Sequence, residues 1–268
     1  MDANGRMKDA IKWMWSLGDY EQVARLLMPY AERLVTRVGV RPGMTVLDVA
    51  AGNGNFAVAA ARRGALVTAS DLTPRMLELG QARSVAEGLA IDWQEADAEE
   101  LPFESERFDL VASVFGAMFA ANAERVATEL FRVVKPGGVV AMANYADDGY
   151  VAGMSQLLYR YGPASPERFE SPFRWGDADV VRQRFAGLAA SVEVEPGTIT
   201  FTFDSVDDAL GSWEATNGPL IAIKTMATPE AINALRREAR DLIGATGRAV
   251  DGRLCLDSSY VQVVARKA

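Results

Sequence analysis

The sequence predicts an α/β fold: a doubly wound sheet, mostly parallel with an antiparallel final strand, plus an α-helical cover over its carboxyl edge. Three observations predict it. Short apolar runs alternate with helical patterns through the first half of the chain, the links between them are short, and a glycine-rich turn joins the first run to the first of the intervening helices. Repeated strand–helix–strand units of this kind wind a Rossmann-like parallel sheet through right-handed crossovers. A length of 268 residues suits one large domain. Within it we distinguish an N-terminal helical segment (1–44), a core (45–145), and a cover with completing strands (146–268).

The elements follow in order. Thr45 to Val49 reads as a buried strand, and Phe56 to Arg63 as a short helix with Asn55 as candidate cap and Gly64 past its end. Ala65 to Ser70 is a second strand. Thr73-Pro74 opens a helix that runs to about Gly88, with threonine at the cap and proline in the first turn. Ile91 to Glu95 and Phe108 to Val114 are the third and fourth strands. Ala123 to Val134 is a helix stopped by Pro136-Gly137-Gly138, and Val139 to Ala143 is the fifth strand. The second half is less regular. Tyr150 to Tyr161 reads as a helix, 162–177 as an irregular connection with Pro163, Pro166 and Pro172, and Asp177 to Phe185 as a helix. Val192 to Phe203 alternates like an antiparallel strand. Helical stretches follow at Val206 to Thr216 and Pro229 to Ile243, and Ser259 to Ala265 suits a final edge strand.

Composition excludes several chemistries. The chain has no histidine, so no Ser-His-Asp triad, histidine zinc site or imidazole base can form. A single cysteine, Cys255, rules out an intrachain disulfide and any Cys-x-x-Cys pair, and it reads as buried filler. The net charge is −8. Asp92 to Asp109 holds eight acids against one base, Arg107, a field that repels phosphate backbones, so nucleic acid is not an expected partner. Most of those acids read as a solvated face. The apolar run Val111 to Ala121 is shorter than the ~20 residues a bilayer span needs, and the first fifteen residues lack a signal-peptide pattern. A cytoplasmic location without membrane attachment is expected.

The informative stretch is Val46-Leu-Asp-Val-Ala-Ala-Gly-Asn-Gly-Asn55, a turn that lets backbone approach a nucleotide closely. Gly52, Gly54 and Ala57 satisfy the loose dinucleotide pattern, but other features point away from a diphosphate. Asp48 at the strand end would repel a pyrophosphate and suits a cationic ammonium. Asp71, nineteen residues after Gly52, stands where an acid can accept hydrogen bonds from ribose hydroxyls. No tyrosine is followed by lysine at the fourth position, and no histidine can move a proton during hydride transfer. A nucleoside carrying positive charge fits better, and S-adenosylmethionine is such a molecule.

Four motifs in this order resemble the class I S-adenosylmethionine-dependent methyltransferases of the ubiquinone-biosynthesis-like, methyltransferase type 11 group. They are Val-Leu-Asp-Val-Ala-Ala-Gly-Asn-Gly (46–54), Asp-Leu-Thr-Pro-Arg-Met (71–76), Asp-Ala-Glu-Glu-Leu-Pro-Phe (97–103) and Phe-Arg-Val-Val-Lys-Pro-Gly-Gly (131–138). The resemblance covers residues 13–145 strongly and the remainder weakly. It implies that Asp48, Ala50, Gly52 and Asn53 line the methionine and ribose side, and that Asp71 holds the ribose hydroxyls. Leu72 and Met76 would meet the adenine, with Asp97 and the Ala98 backbone on its polar edge. Ser113 would offer its carbonyl to the ammonium, and Met118 would close over the purine. Ala50 departs from the pattern, replacing a common glycine with a methyl group that narrows the approach. In similar enzymes the N-terminal segment folds over the donor, which would bring Trp15 and Tyr20 to the sulfonium side. Plain alternatives stand beside these: Asp71 as a helix cap, Asp97 as a solvated acid, and Leu72, Met76 and the aromatic residues as core.

On the acceptor side, Phe115, Phe119, Asn144, Trp175, Trp213 and Asn217 are candidate lining residues, with Tyr145 and Tyr150 as candidate proton handlers. Such a lining suggests a small aromatic or prenyl-like acceptor. The missing histidine favours N- or C-methylation over O-methylation, because a neutral amine or electron-rich carbon needs less help from a base. S-adenosylhomocysteine would be the product, and no metal is expected. A non-catalytic S-adenosylmethionine-binding regulatory module and an NAD-dependent oxidoreductase are the alternative readings. The oligomeric state is open.

Overall fold

The computed structural model describes residues 3–162 and 170–268. The chain divides into two compact units. The larger comprises Ala24–Tyr145, Phe169–Gly197 and Tyr260–Ala268, and the smaller Met1–Val23, Ala146–Arg168 and Thr198–Ser259. The sheet order is β3-β2-β1-β4-β5-β8-β6, with β7 paired to β8. Its strands are β1 Thr45–Val49, β2 Leu66–Asp71, β3 Ile91–Glu95, β4 Phe108–Val114, β5 Val134–Tyr145, β6 Ala189–Phe203, β7 Arg248–Val250 and β8 Arg253–Lys267.

In the larger unit β1 to β5 run parallel, and β8 runs antiparallel to β5. The central strands are nearly continuous apolar runs because helices cover both faces. Helix α2 spans Tyr20–Arg37, α3 Asn55–Ala61, α4 Pro74–Ala86, α5 Ala123–Val133 and α7 Ala178–Arg184. Helix α5 buries Val126, Ala127, Leu130 and Phe131, a stripe at helical spacing, and the Asn122 side chain caps it by accepting from Arg125 N–H at 3.0 Å. Pro74 sits in the first turn of α4 and Thr73 occupies its cap position, as the sequence suggests. The Thr73 hydroxyl does not close that cap; Asp71 Oδ1 accepts the Thr73 N–H instead, at 2.8 Å.

Three local expectations change. Gly54, in the left-handed conformation at φ 83°, is the residue that enters α3. The Asn55 amide is engaged elsewhere, donating to the Ala24 carbonyl and accepting from Arg83. Pro136-Gly137-Gly138 lies inside β5, where the register against β4 shifts between Phe108 and Leu110, so the strand absorbs the extra residues as an irregularity. The final strand is not at the edge. β8 lies between β5 and β6, which suits its burial at Tyr260, Val261, Val263 and Ala265, while β6 takes the outer position with alternate residues exposed. Pro163 and Pro166 of the predicted connection lie outside the described residues, and Pro172–Gly176 forms a 3-10 turn.

The smaller unit holds α1 Ala3–Trp15, α6 Gly149–Tyr161, α8 Val206–Thr216, α9 Gly218–Lys224 and α10 Pro229–Thr246, with α10 packed on α6 and α8. Ser205, Asn217 and Thr228 cap α8, α9 and α10 with their side-chain oxygens. The seven-residue α9 and the hairpin β7–β8 are additional to the predicted elements. The hairpin turns at Asp251-Gly252, both at positive φ, the geometry of a two-residue hairpin turn.

Candidate donor and acceptor site

The carboxyl ends of β1 and β4, neighbours in the sheet, each leave through a residue with strained backbone. Ala50 stands at φ 52° and Phe115 at φ 56°, left-handed conformations that side chains other than glycine adopt at a cost of ~1–2 kcal/mol. The two reversals touch. A Cβ on Gly116 would fall 2.1 Å from the Ala50 carbonyl oxygen and 2.9 Å from its Cβ, so residue 116 must be glycine. Strain held at neighbouring strand ends marks the edge where open α/β sheets bind ligands.

Around this edge the larger unit gathers two buried acids. Asp71 Oδ2 accepts the Gly52 N–H at 2.8 Å while its Oδ1 accepts from Thr73. Asp71 therefore ties the turn before α4 to the glycine loop, with the Thr73 hydroxyl and the Leu72 N–H also bonding its carboxylate. Asp48, 1% exposed, accepts the Ala57 N–H through Oδ2 at 2.9 Å, and its Oδ1 has no partner among the described residues. Burial pushes the Asp48 carboxyl up to about 8; the Ala57 N–H pulls it back and the Asp71 charge adds to the rise. Burial also raises Asp71 against the hydrogen bonds from Thr73 and Gly52. A buried carboxyl oxygen without a partner beside a second acid is a place where a cationic group would be stabilised, drawing Asp48 back toward its ionised form. Gly52, at φ 56°, has nothing within 4 Å of where a Cβ would stand, which leaves its flank open. These residues fit S-adenosylmethionine.

Two residues that the sequence reading missed hold the loop. The Trp93 indole lies so close to Gly54 and Gly80 that a Cβ on either would meet its ring at 2.4 and 2.2 Å, and its Nε1 donates to Ser84 Oγ at 3.2 Å. Arg83 on α4 donates to Asn55 Oδ1 at 2.8 Å and to the Asn53 carbonyl at 3.4 Å. The glycines at 54 and 80 were the available signal for a bulky neighbour. Nothing in the spacing of Arg83 announced it.

The remaining donor candidates are distributed as follows. Met76, Ala98, Asn53, Ser113 and Met118 are buried, and Ala50, Leu72 and Asp97 are half-buried. Ser113 Oγ accepts the Ala117 N–H at 2.9 Å, which ties the end of β4 to the 3-10 turn Ala117–Phe119. Asp97 Oδ1 accepts the Glu99 N–H at 2.9 Å. Glu99 is itself buried and accepts from Asn122 N–H, so the acidic stretch is solvated at Asp92, Glu95, Glu100, Glu104 and Glu106 but structural at Glu99. Trp15 and Tyr20 belong to the smaller unit with ring centroids 5.8 Å apart, and the Tyr20 hydroxyl accepts the Gly218 N–H at 3.3 Å.

Of the acceptor candidates, Phe115, Phe119, Asn144, Tyr145 and Trp175 belong to the larger unit, and Tyr150, Trp213 and Asn217 to the smaller. Phe115 stacks on Tyr145 at 4.3 Å and meets Tyr260 edge-on at 5.8 Å. Tyr150 packs edge-on against Phe201 and Phe203. Burial drives both Tyr145 and Tyr150 phenols well above their ordinary value, so both stay protonated. Asn217 spends its side-chain oxygen capping α9. Cys255 lies buried in β8. Among the described residues no group of three or more potential ligands is placed to hold a metal ion, and no helix is long and apolar enough to cross a membrane.

Known proteins resemble this chain in sequence and in fold. The methyltransferase domain family matches residues 47–142. An uncharacterized protein of Mycobacterium tuberculosis is 39% identical over 233 residues, 85% of either chain. The ubiquinone/menaquinone biosynthesis C-methyltransferase UbiE of Bordetella parapertussis is 38% identical over 115 residues, 42% of this chain and 45% of that protein. Among solved structures, YcgJ of Bacillus subtilis superposes with a TM-score of 0.61 at 19% identity, covering 89% of this chain and 98% of that one. A putative methyltransferase of Bacillus halodurans gives 0.59 at 22% identity, with 88% and 98% covered. The chain belongs to the S-adenosylmethionine-dependent methyltransferases, in the methyltransferase type 11 group. It is a methyl-transferring enzyme with S-adenosylmethionine as its donor.

Proposed function

We propose that the enzyme methylates a small, largely apolar metabolite of aromatic or prenyl-like character, at nitrogen or carbon rather than oxygen. The observation that carries the donor side of this reading is the partnerless, buried Asp48 Oδ1 beside Asp71 at the strained strand ends. There Asp48 would face the donor's ammonium, and Asp71 would take the ribose hydroxyls. Gly52 and Ala50 would let the backbone pass close, with Asn53, Leu72, Met76, Asp97, Ala98, Ser113 and Met118 completing the site. The donor supplies an activated methyl group on a positive sulfur and leaves as S-adenosylhomocysteine. The chain's own task is alignment and exclusion of water, which the stacked Phe115 and Tyr145 serve at the ends of β4 and β5.

The preference for nitrogen or carbon rests on the protons. With no histidine and with Tyr145 and Tyr150 held protonated, neither phenol is ready to deprotonate an alcohol. The name of the UbiE relative, a C-methyltransferase, accords with this. Calorimetric titration with S-adenosylhomocysteine and with NADH tests the donor site. Binding of the first and not the second is expected, and Asp71→Ala should weaken it by ~1.5–3 kcal/mol, the worth of hydrogen bonds to a charged group. Unchanged affinity would remove Asp71 from the site. A screen of phenolic, indolic and prenyl acceptors for S-adenosylhomocysteine release tests the acceptor class, and turnover confined to O-methylation of alcohols would overturn it.

A further inference from the structure

Asn144 stands one residue before the end of β5. It is 1% exposed, and neither its amide oxygen nor its amide nitrogen has a hydrogen-bond partner among the described residues. Its surroundings do not call for an amide. The register pairs Asn144 with Val261 of β8, an apolar neighbour. On the other side, β4 has already turned away: Val114 is the last β4 residue in the ladder, opposite Ala143, and Phe115 N–H donates to the Ala143 carbonyl. Alternation puts Asn144 on the same face as Met142 and, through the Met142–Ser113 pair, as Ser113. The amide is thus the last side chain of that face, at the sheet's carboxyl edge.

A second orphan lies in the cover of this strand. The 3-10 turn Pro172–Gly176 packs on β5 and on the turn Ala117–Phe119, and it carries Trp175, whose Nε1 is buried without an acceptor. The indole is fixed in place, with the Arg184 guanidinium 4.3 Å above its ring; Glu124 and Glu170 hold Arg184 Nε and Nη2, while its Nη1 is buried without a partner among the described residues. A buried amide left unpaired at both ends is costly, and leucine would fill the same volume at no such cost. The polarity is therefore explained by a ligand, and an uncharged amide offering one donor and one acceptor matches a neutral ligand edge of the same kind.

We propose that Asn144 anchors the methyl acceptor by a two-point hydrogen bond to a neutral edge bearing one donor and one acceptor side by side, as a lactam or primary amide does. The assignment rests on the methyl-transfer reading and narrows the acceptor to an aromatic or prenyl-like body with such an edge. The test titrates S-adenosylhomocysteine first, then 2-quinolone and benzamide into the S-adenosylhomocysteine complex, with N-methyl-2-quinolone as the probe lacking the donor. Wild type should bind 2-quinolone or benzamide and discriminate against the N-methyl form. Asn144→Leu should bind those probes about tenfold more weakly or worse, while keeping its S-adenosylhomocysteine affinity and melting no lower than wild type. Wild type that binds none of the edge-bearing probes, or binds the N-methyl form equally well, sinks the assignment. So does an Asn144→Leu variant that binds like wild type, or one that melts several degrees lower because the amide had an internal partner. Failure of the S-adenosylhomocysteine titration itself would instead take the donor site down, and this inference with it.

Discussion

Asp48 is the residue on which the proposed donor site turns, and its burial makes it a probe of the free enzyme. Its carboxyl is held near 8 against an ordinary value of 3.8, so the native state keeps a proton that the unfolded chain releases. The stability tied to that proton is complete below about pH 4 and is lost as pH rises through about 8. With no histidine in the chain, few other groups titrate between pH 5 and 8 to obscure the slope. Asp48→Asn should flatten the fall in unfolding free energy across this window and be the more stable protein at pH 8.5, by on the order of a few kcal/mol. A gap between the two proteins that does not vary with pH would show that Asp48 is ionised in the native state. Asp71 shifts in the same direction and leaves a residual slope. At Gly116 the argument is steric. Alanine there meets the Ala50 carbonyl, so Gly116→Ala should cost ~1–3 kcal/mol in urea unfolding and also weaken S-adenosylhomocysteine binding, because the strained Ala50 turn must shift. Wild-type stability in that variant would mean that the two reversals do not touch.

Among the elements, α5 shows how local signals and tertiary ties combine. The sequence places the helix without naming its cap; the structure shows an apolar stripe on one face and the Asn122 side chain accepting from Arg125 N–H. Asn122→Ala should destabilise by ~1 kcal/mol in denaturant titration and leave S-adenosylhomocysteine affinity unchanged within error, since the cap lies outside the donor residues. A loss of affinity without a loss of stability would reverse that assignment. β5 shows the opposite case. Lys-Pro-Gly-Gly reads as a stop between helix and strand, yet the structure places Val134 directly in the ladder opposite Phe108 and takes up the Pro-Gly-Gly as a register shift. Proline and glycine mark an interruption of regular pairing, and whether the chain turns there or bulges depends on the neighbouring strand.

For the whole molecule the prediction is one of linkage. A ligand that binds only the native state raises its stability, by ~2.7 kcal/mol at a hundred times its dissociation constant. S-adenosylhomocysteine at that excess should therefore raise the melting temperature of the wild type, and NADH at equal concentration should not. Asp71→Ala at the same concentration should show a smaller rise. An NADH-induced rise as large as that from S-adenosylhomocysteine would contradict the donor assignment. The larger unit contains Asp48, Asp71, Asp97 and every other proposed donor residue drawn from the core motifs, whereas Trp15 and Tyr20 belong to the smaller unit.

Much of this was legible in the one-dimensional pattern. Five parallel strands, the glycine turn and the two acids at the ends of β1 and β2 all follow from local periodicity and spacing, because a buried parallel strand must be an apolar run and its sharp exit must be small or strained. Other features depend on what lies alongside in space. The position of β8 inside the sheet, the Arg83 tie to the loop, the slot that Gly54 and Gly80 leave for Trp93, and the contact between Gly116 and Ala50 join residues distant in sequence. Local preferences carry no record of partners that only the folded chain brings together. Sequence by itself determined the parallel core and the placing of its acids and glycines at the strand ends. Tertiary structure alone decided which polar atoms, Asp48 Oδ1 and the Asn144 amide among them, would be buried without a partner, since that depends on every neighbour at once.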